Sequence, residues 1–229
     1  MSEYHLVLGD PAYSSWSLRG WLLFHRWDIP CSTAFVSFSD DRSVAEQMPD
    51  MAPAKTVPAL RLPDGAILGD SLAIAEEVAA RHPDHAMWPT DPAFRARARD
   101  LTAEMHAGFM ALRNACPMNL RCAYGDFTAD DAVERDLARL DVIWTHALNQ
   151  SGGPWLCGDY SIADAFYAPV AARIAGYGLA ISFEAADYVA AHLADRSFLV
   201  WRQMGLTQGP DLKRYAMDNR QVPWPGPAG

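Results

Sequence analysis

Residues 57–81 read VPALRLPDGAILGDSLAIAEEVAAR, and three elements follow one another in that stretch. Val57 to Leu62 and Ala66 to Leu68 are short apolar runs joined around Pro63-Asp64-Gly65. Asp-Gly between two apolar runs predicts a β-hairpin. Leu72 to Arg81 then carries a helical pattern that stops ahead of Pro83, since proline disfavours helical backbone in the residue before it.

Toward the N-terminus, Tyr4 to Leu8 is an apolar run that stops at Gly9-Asp10-Pro11, a strand followed by a loop. Ser15 to Trp27 is helical in pattern, with Leu18, Trp21 and Leu22 on one face. Ala34 to Phe38 reads as a second strand, and Ser43 to about Pro49 as a short helix or irregular crossover. The order is β-α-β-α-β-β-α. A helical crossover between the first two strands implies parallel pairing, and the hairpin adds an antiparallel edge. That is an α/β, thioredoxin-like topology.

Toward the C-terminus, residues 82–92 hold Pro83, Pro89 and Pro92 between periodic segments and read as a linker. Beyond it the strand signals fade. Ala93–Ala115, Thr128–Gln150, Ser161–Ala175 and Phe183–Met204, the last with a break near Asp195, read as helices. The last twenty residues carry Pro210, Pro223, Pro225 and Pro227, a tail expected to drape over the body. The division expected is a thioredoxin-like domain over 1–82, a linker over 83–92, and an all-helical substrate-binding domain with its tail over 93–229.

Composition narrows the function classes. Half of the 229 residues are hydrophobic and 21% are charged, the balance of a globular protein. Net charge is −9, and no basic stripe offers itself to phosphates, so neither nucleic acid nor an anionic membrane is an expected partner. Met1-Ser2-Glu3-Tyr4-His5 has no positively charged or apolar leader pattern, so a cytoplasmic location is expected. Cys31, Cys116, Cys122 and Cys157 form no CxxC pair and no metal-ligand spacing. They read as reduced buried thiols. His82 and His85 flank the linker's first proline, and no metal site is expected.

Three short segments carry chemistry. Tyr13-Ser14-Ser15-Trp16-Ser17-Leu18-Arg19 lies where the first strand hands over to the first helix. A hydroxyl there caps the helix in the ordinary reading. In the functional reading it donates to a bound thiolate beside the positive helix end. Thioredoxin has the first cysteine of its CxxC at this place; Ser14 and Ser17 keep the spacing without the disulfide chemistry, so the thiol must come from a ligand. A hydrogen bond to a charged group contributes about 1.5–3 kcal/mol and the helix end about 0.3–1 more. Together they lower a thiol pKa by on the order of one to three units, from about 8.5 to near neutrality. Lys55-Thr56-Val57-Pro58 opens the third strand with a proline, which belongs at an edge or a strand start. Gly69-Asp70-Ser71 sits between the fourth strand and the third helix. Its backbone N–H groups and hydroxyl suit a ligand carboxylate, and Asp70 can hold an ammonium; N-capping is the plainer alternative.

In combination these segments resemble the cytosolic glutathione S-transferases. The serine motif is most similar to that of the zeta class and its bacterial, serine-type relatives, which read Ser-Ser-Cys-Ser followed by basic residues. The resemblance implies glutathione as co-substrate, with no metal. It assigns Ser14 or Ser15 to thiolate stabilisation, with Ser14 matching the activating position. Val57 pairs its backbone with the cysteinyl part across a cis bond to Pro58. Asp70 and Ser71 take the γ-glutamyl end, and Lys55 lies near the glycyl end. Tyr13, Trp16, Met105, Phe109 and Arg113 are candidates for the electrophile site; the last three recur every four residues, a spacing equally suited to a core face. Gly158-Asp159-Tyr160-Ser161-Ile162-Ala163-Asp164 resembles the family's helix-capping segment, so Asp164 is expected to be structural. Trp16 stands where zeta-class motifs have Cys, which weighs against that class's isomerase chemistry and would wall the electrophile site. The resemblance further implies a homodimer acting in detoxification. A glutathione-dependent isomerase or reductase is the alternative enzyme, and a non-catalytic glutathione-binding stress module the alternative outside enzymes.

Overall fold

The computed structural model describes residues 3–227; Met1, Ser2, Ala228 and Gly229, the outer ends of the expected leaderless N-terminus and of the tail, lie outside the described residues. Strands β1 (Tyr4–Leu8), β2 (Cys31–Phe35), β3 (Ala59–Arg61) and β4 (Ile67–Leu68) form one sheet in the order β2-β1-β3-β4. β1 runs parallel to β2 and antiparallel to β3, and β3 to β4 is the hairpin. Helices α1 (Ser15–His25), α2 (Val44–Gln47) and α3 (Ser71–Arg81) complete the expected β-α-β-α-β-β-α order.

The hairpin forms where Asp-Gly predicts it. Gly65 has φ +92°, a left-handed conformation that favours glycine, and its N–H donates to Leu62 O at 2.9 Å. Arg81, at the end of α3, reaches back to Asp64 and Glu77 at 2.6 Å each, tying the turn to the helix. The second strand lies three residues earlier than its pattern suggests. β1 pairs Tyr4 with Cys31 and Leu8 with Phe35, and this edge strand exposes Ser32 and Thr33, so its polar residues masked it.

The rest is mostly helical: α4 (Pro92–Ala107), α5 (Met110–Ala115), α6 (Asp131–Ser151), α7 (Ile162–Tyr177), α8 (Phe183–Ala194) and α9 (Arg196–Thr207), with a small ribbon of β5 (Ala123–Tyr124) and β6 (Gln221–Val222). One expected helix is two. Ala93–Ala115 breaks at Gly108-Phe109, where Gly108 N–H closes α4 on Glu104 O and Phe109 takes φ +57°. The Asp136 carboxylate accepts Leu112 N–H at 2.9 Å, so α6 holds the restart. The break near Asp195 is present as expected, because Asp195 caps α9 by accepting from Ser197 and Phe198 N–H at 2.9 and 3.1 Å.

Helix α7 is the hub, buried along almost its whole length and packed on α1, α4 and α8. Its first turn holds Asp164, which is fully buried and accepts four hydrogen bonds: from Ser161 N–H (2.8 Å), Ser161 hydroxyl (3.1 Å), Leu156 N–H (3.1 Å) and Tyr188 hydroxyl (2.9 Å). Asp164 is therefore structural, as its capping pattern predicts. Beside this group, His192 is buried among Trp155, Tyr160 and Tyr188, with no partner for Nε2 among the described residues. Burial lowers its pKa to about 3. In the unfolded chain a histidine takes up its proton near 6.5, so below that pH the unfolded state binds more protons and stability is lost as pH falls toward 3. A His192→Phe variant should lose less stability between pH 7 and pH 4 than the parent, measured by urea unfolding at each pH.

Among the described residues no helix is long and apolar enough to cross a membrane, and no group of three potential metal ligands occurs. All four cysteines are free.

Candidate active site

A cavity of about 650 Å³ opens where the C-terminal end of the sheet meets α4, α5 and α7. The start of α1 forms its floor. Ser14 is the N-cap, with φ −83° and ψ 92°. Its Oγ accepts Ser17 N–H at 3.2 Å and donates to Ser17 Oγ at 2.8 Å, and Ser17 Oγ accepts Gly9 N–H at 2.8 Å. The Ser14 proton is thereby directed into the protein.

Ser15 differs. Its Oγ accepts from Arg173 Nη2 at 3.3 Å, and no acceptor for its own proton stands among the described residues. Arg173, on α7, is nearly fully buried and is fixed by donating to Cys116 O (2.8 Å) and Pro169 O (3.2 Å). Both serines line the cavity, but only Ser15 faces it half-buried with a free proton.

The opposite wall comes from the loop before β3 and the start of α3. The Val57–Pro58 bond is cis, and both residues line the cavity. Helix α1 approaches this proline closely: a Cβ on Gly20 would lie 2.8 Å from Pro58 Cβ, so glycine is required at this contact. Asp70 caps α3, its Oδ1 accepting Leu72 and Ala73 N–H at 2.8 and 3.0 Å, while Oδ2 lies 3.3 Å from His106 Nε2. Ser71 is 2% exposed, lines the cavity, and its hydroxyl has no partner among the described residues. A buried hydroxyl left without a partner costs about 1–3 kcal/mol, which a ligand's oxygen would recover.

Two arginines stack on Trp16, and Arg173 stands close enough to both to repel their charge. The guanidinium carbons of Arg19 and Arg113 lie 4.3 and 4.8 Å from its ring centroid, and His106 meets it edge-on at 5.3 Å. Arg19 is 1% exposed, with Nε and Nη1 unpartnered among the described residues. Burial, then repulsion from Arg173 and Arg113, holds its pKa well below the usual arginine range. Burial, then repulsion from Arg113, brings Arg173 to about 10, and burial alone lowers Arg113. Among the described residues none of the three is in an ion pair. Such a cluster, near a cavity, favours an anion there.

Of the residues singled out from the sequence, Tyr13, Ser14, Ser15, Trp16, Val57, Pro58, Asp70, Ser71 and Arg113 line this one cavity. Three do not. Lys55 is exposed and Thr56 lines the wall in its place. Met105 and Phe109 are core residues, at 0% and 6% exposure. On either side of the turn at Gly108-Phe109, His106, Met110 and Arg113 face the cavity. Those three stand at i, i+4 and i+7 and were open to the same periodicity argument. Arg173 and Tyr215 also line the cavity and carry no local signal.

Comparison with known proteins gives the following. Residues 13–81 match the family described as Glutathione S-transferase, N-terminal domain. A "Maleylacetoacetate isomerase" of Pseudomonas aeruginosa is 30% identical over 152 residues, covering 63% of this chain and 71% of that protein. A "Probable maleylacetoacetate isomerase" of Caenorhabditis elegans is 29% identical over 161 residues, covering 68% and 72%. Among solved structures, a glutathione transferase homolog from Burkholderia GL BGR1 with bound glutathione superposes with a TM-score of 0.67 at 21% identity, over 89% of this chain and 98% of that one. At that identity the likeness concerns the fold.

Proposed function

The chain belongs to the glutathione S-transferase family, and from that premise we propose that it is a transferase joining the thiolate of glutathione to small electrophiles. The observation that carries this reading is Ser15: a hydroxyl at the N-terminus of α1, its oxygen held by a buried arginine and its proton free toward the cavity. Such a donor, with the helix end and the neighbouring guanidinium charge, favours the ionised form of a bound thiol. Glutathione is laid with its thiol at Ser15 and its cysteinyl amide along Val57. Its γ-glutamyl carboxylate sits at the unpartnered Ser71 hydroxyl and its ammonium at Asp70. Residues 1–82 supply this co-substrate site; Trp16 and Arg113 border the electrophile. A homodimer, a cytoplasmic setting and a detoxifying role belong to the same proposal.

A second reading has a specific support. The unpaired charge of Arg113 and Arg173 at the cavity wall suits an electrophile that itself bears a carboxylate, and the two relatives are named as isomerases of such an acid. A glutathione-dependent isomerase would use the same thiolate, adding to and then leaving an unsaturated acid.

Calorimetry with glutathione at millimolar concentration should give saturable binding, with a thiolate absorbance at neutral pH. Absence of binding would sink both readings. Turnover of an unsaturated acid and of its methyl ester separates them from there. Preference for the acid, lost in Arg113→Gln, together with no net consumption of glutathione, would favour the isomerase; consumption of one glutathione per product favours transfer.

A further inference from the structure

Helix α9 ends at Thr207, yet the chain beyond it returns to the cavity. Arg121, just ahead of β5, gathers that segment. Its Nε donates to Gly205 O at 2.9 Å, Nη1 to the Asp211 carboxylate at 2.6 Å, and Nη2 to the carbonyls of Gln208 and Gly209 at 2.6 and 2.7 Å. Gly209 turns with φ +73°, and a Cβ there would lie 2.7 Å from the Asp10 carboxylate. That carboxylate in turn accepts Phe38 N–H at 2.5 Å. Tyr13 holds the next turn: its hydroxyl accepts Leu212 N–H at 3.3 Å and donates to Asp211 at 3.4 Å.

The consequence is the placement of Tyr215. Its ring stacks on Tyr13, with centroids 4.8 Å apart and planes at 28°. Ala12, Tyr13 and Leu212 form a small buried cluster beneath, against which Phe38 and Tyr215 pack. Tyr13, Phe38 and Tyr215 come from three distant segments and all line the cavity. Arg214 lies 5.3 Å from the ring centroids of Phe38 and Tyr215 and Arg121 5.5 Å from that of Tyr13, so the rings are held in place and offer their cavity side to a planar ligand as an apolar, edge-on contact. Asp70, Ser71 and His106 form a separate polar group in that cavity, which leaves the aromatic group for the second substrate.

We propose that residues 208–215 are part of the substrate site: Tyr215 is a specificity-determining residue that receives the planar, apolar portion of the electrophile, and Arg121 is the positioning residue that holds it there. This rests on the glutathione-transfer reading of the cavity.

The test compares, on the full chain by calorimetry, glutathione with its S-(2,4-dinitrophenyl) conjugate. The conjugate should bind the parent more tightly than glutathione. Tyr215→Ala should remove roughly three- to tenfold of that gain, the worth of one aromatic contact, and leave glutathione affinity unchanged. Tyr215→Phe should keep the gain, because the ring and not the hydroxyl carries it. Arg121→Gln should lose it as Tyr215→Ala does. Should Tyr215→Ala fail to fold, Tyr215→Leu makes the same comparison. An undiminished gain in Tyr215→Ala, or a loss of glutathione affinity there, would overturn the proposal. A parent that binds no glutathione would instead refute the reading it rests on.

Discussion

Ser15→Ala is expected to lower turnover at neutral pH by about one to two orders of magnitude and to raise the pKa of bound glutathione by about one to two units, the loss of one charge-assisted hydrogen bond. Glutathione affinity should change little, because the bond matters chiefly to the ionised thiol. The acid limb of the pH–rate profile should move up by the same one to two units. The order of the serines in the motif points to Ser14 for this role. Its geometry points elsewhere: Ser14 donates to Ser17 and accepts Ser17 N–H, while Ser15 receives Arg173 and keeps its proton for a ligand. Ser14→Ala should therefore behave as loss of a helix cap, costing about 0.5–2 kcal/mol of stability with the smaller fall in turnover. A collapse in Ser14→Ala beside an active Ser15→Ala would reverse the assignment. Full activity in both would leave the thiolate to backbone N–H groups alone.

Arg173 enters the same comparison. Arg173→Lys keeps a charge but loses the planar fork that bonds Cys116, Pro169 and Ser15 together. The thiol pKa in that variant should rise as it does in Ser15→Ala, which a purely structural role for Arg173 would not produce.

The largest effect on stability is expected at Asp164. Asp164→Ala should cost about 3–5 kcal/mol and lower the thermal midpoint by on the order of 10 °C. Four donors converge on this carboxylate from Ser161, Leu156 and Tyr188, and each would be left in a dry interior. Asp164→Asn should recover only part of this, since both oxygens accept and an amide turns one of them into a donor. The pH dependence carries a second signature. Burial outweighs those hydrogen bonds and brings the Asp164 pKa up to about 6, above the unfolded value of about 3.9. Between those limits the native state binds more protons. This residue's contribution is thus fullest at the acid end and is lost as pH rises through about 6. It opposes the histidine effect at His192, and Asp164→Ala should steepen the loss of stability toward acid pH. A variant as stable as the parent by urea unfolding would remove Asp164 from the core's supports.

Much of this was written locally in the chain. Asp64-Gly65 made the hairpin because only a left-handed residue closes that turn, and the β-α-β-α-β-β-α order followed from where apolar runs and breakers alternate. Asp70 and Asp195 marked helix starts because their side chains bond N–H groups two or three residues on, and Ser161 because its N–H and hydroxyl meet the Asp164 carboxylate three residues on, contacts that need no tertiary partner. What the sequence left open has a common cause. Whether Met105, Phe109 and Arg113 faced the core or the cavity depended on which side of α4 and α5 was packed against the rest of the protein, with the start of α5 held by Asp136 from another helix. The difference in hydrogen bonding between Ser14 and Ser15 depended on Arg173, 158 residues from Ser15. The wall at Tyr215 depended on Arg121 and Tyr13 folding the tail back. A cap or a turn is fixed by the covalent spacing of its own atoms, so the sequence by itself determined the framework. A hydrogen bond between distant segments exists only once packing has brought them together, so only the tertiary structure decided how each hydroxyl is bonded and which arginines and rings line the cavity.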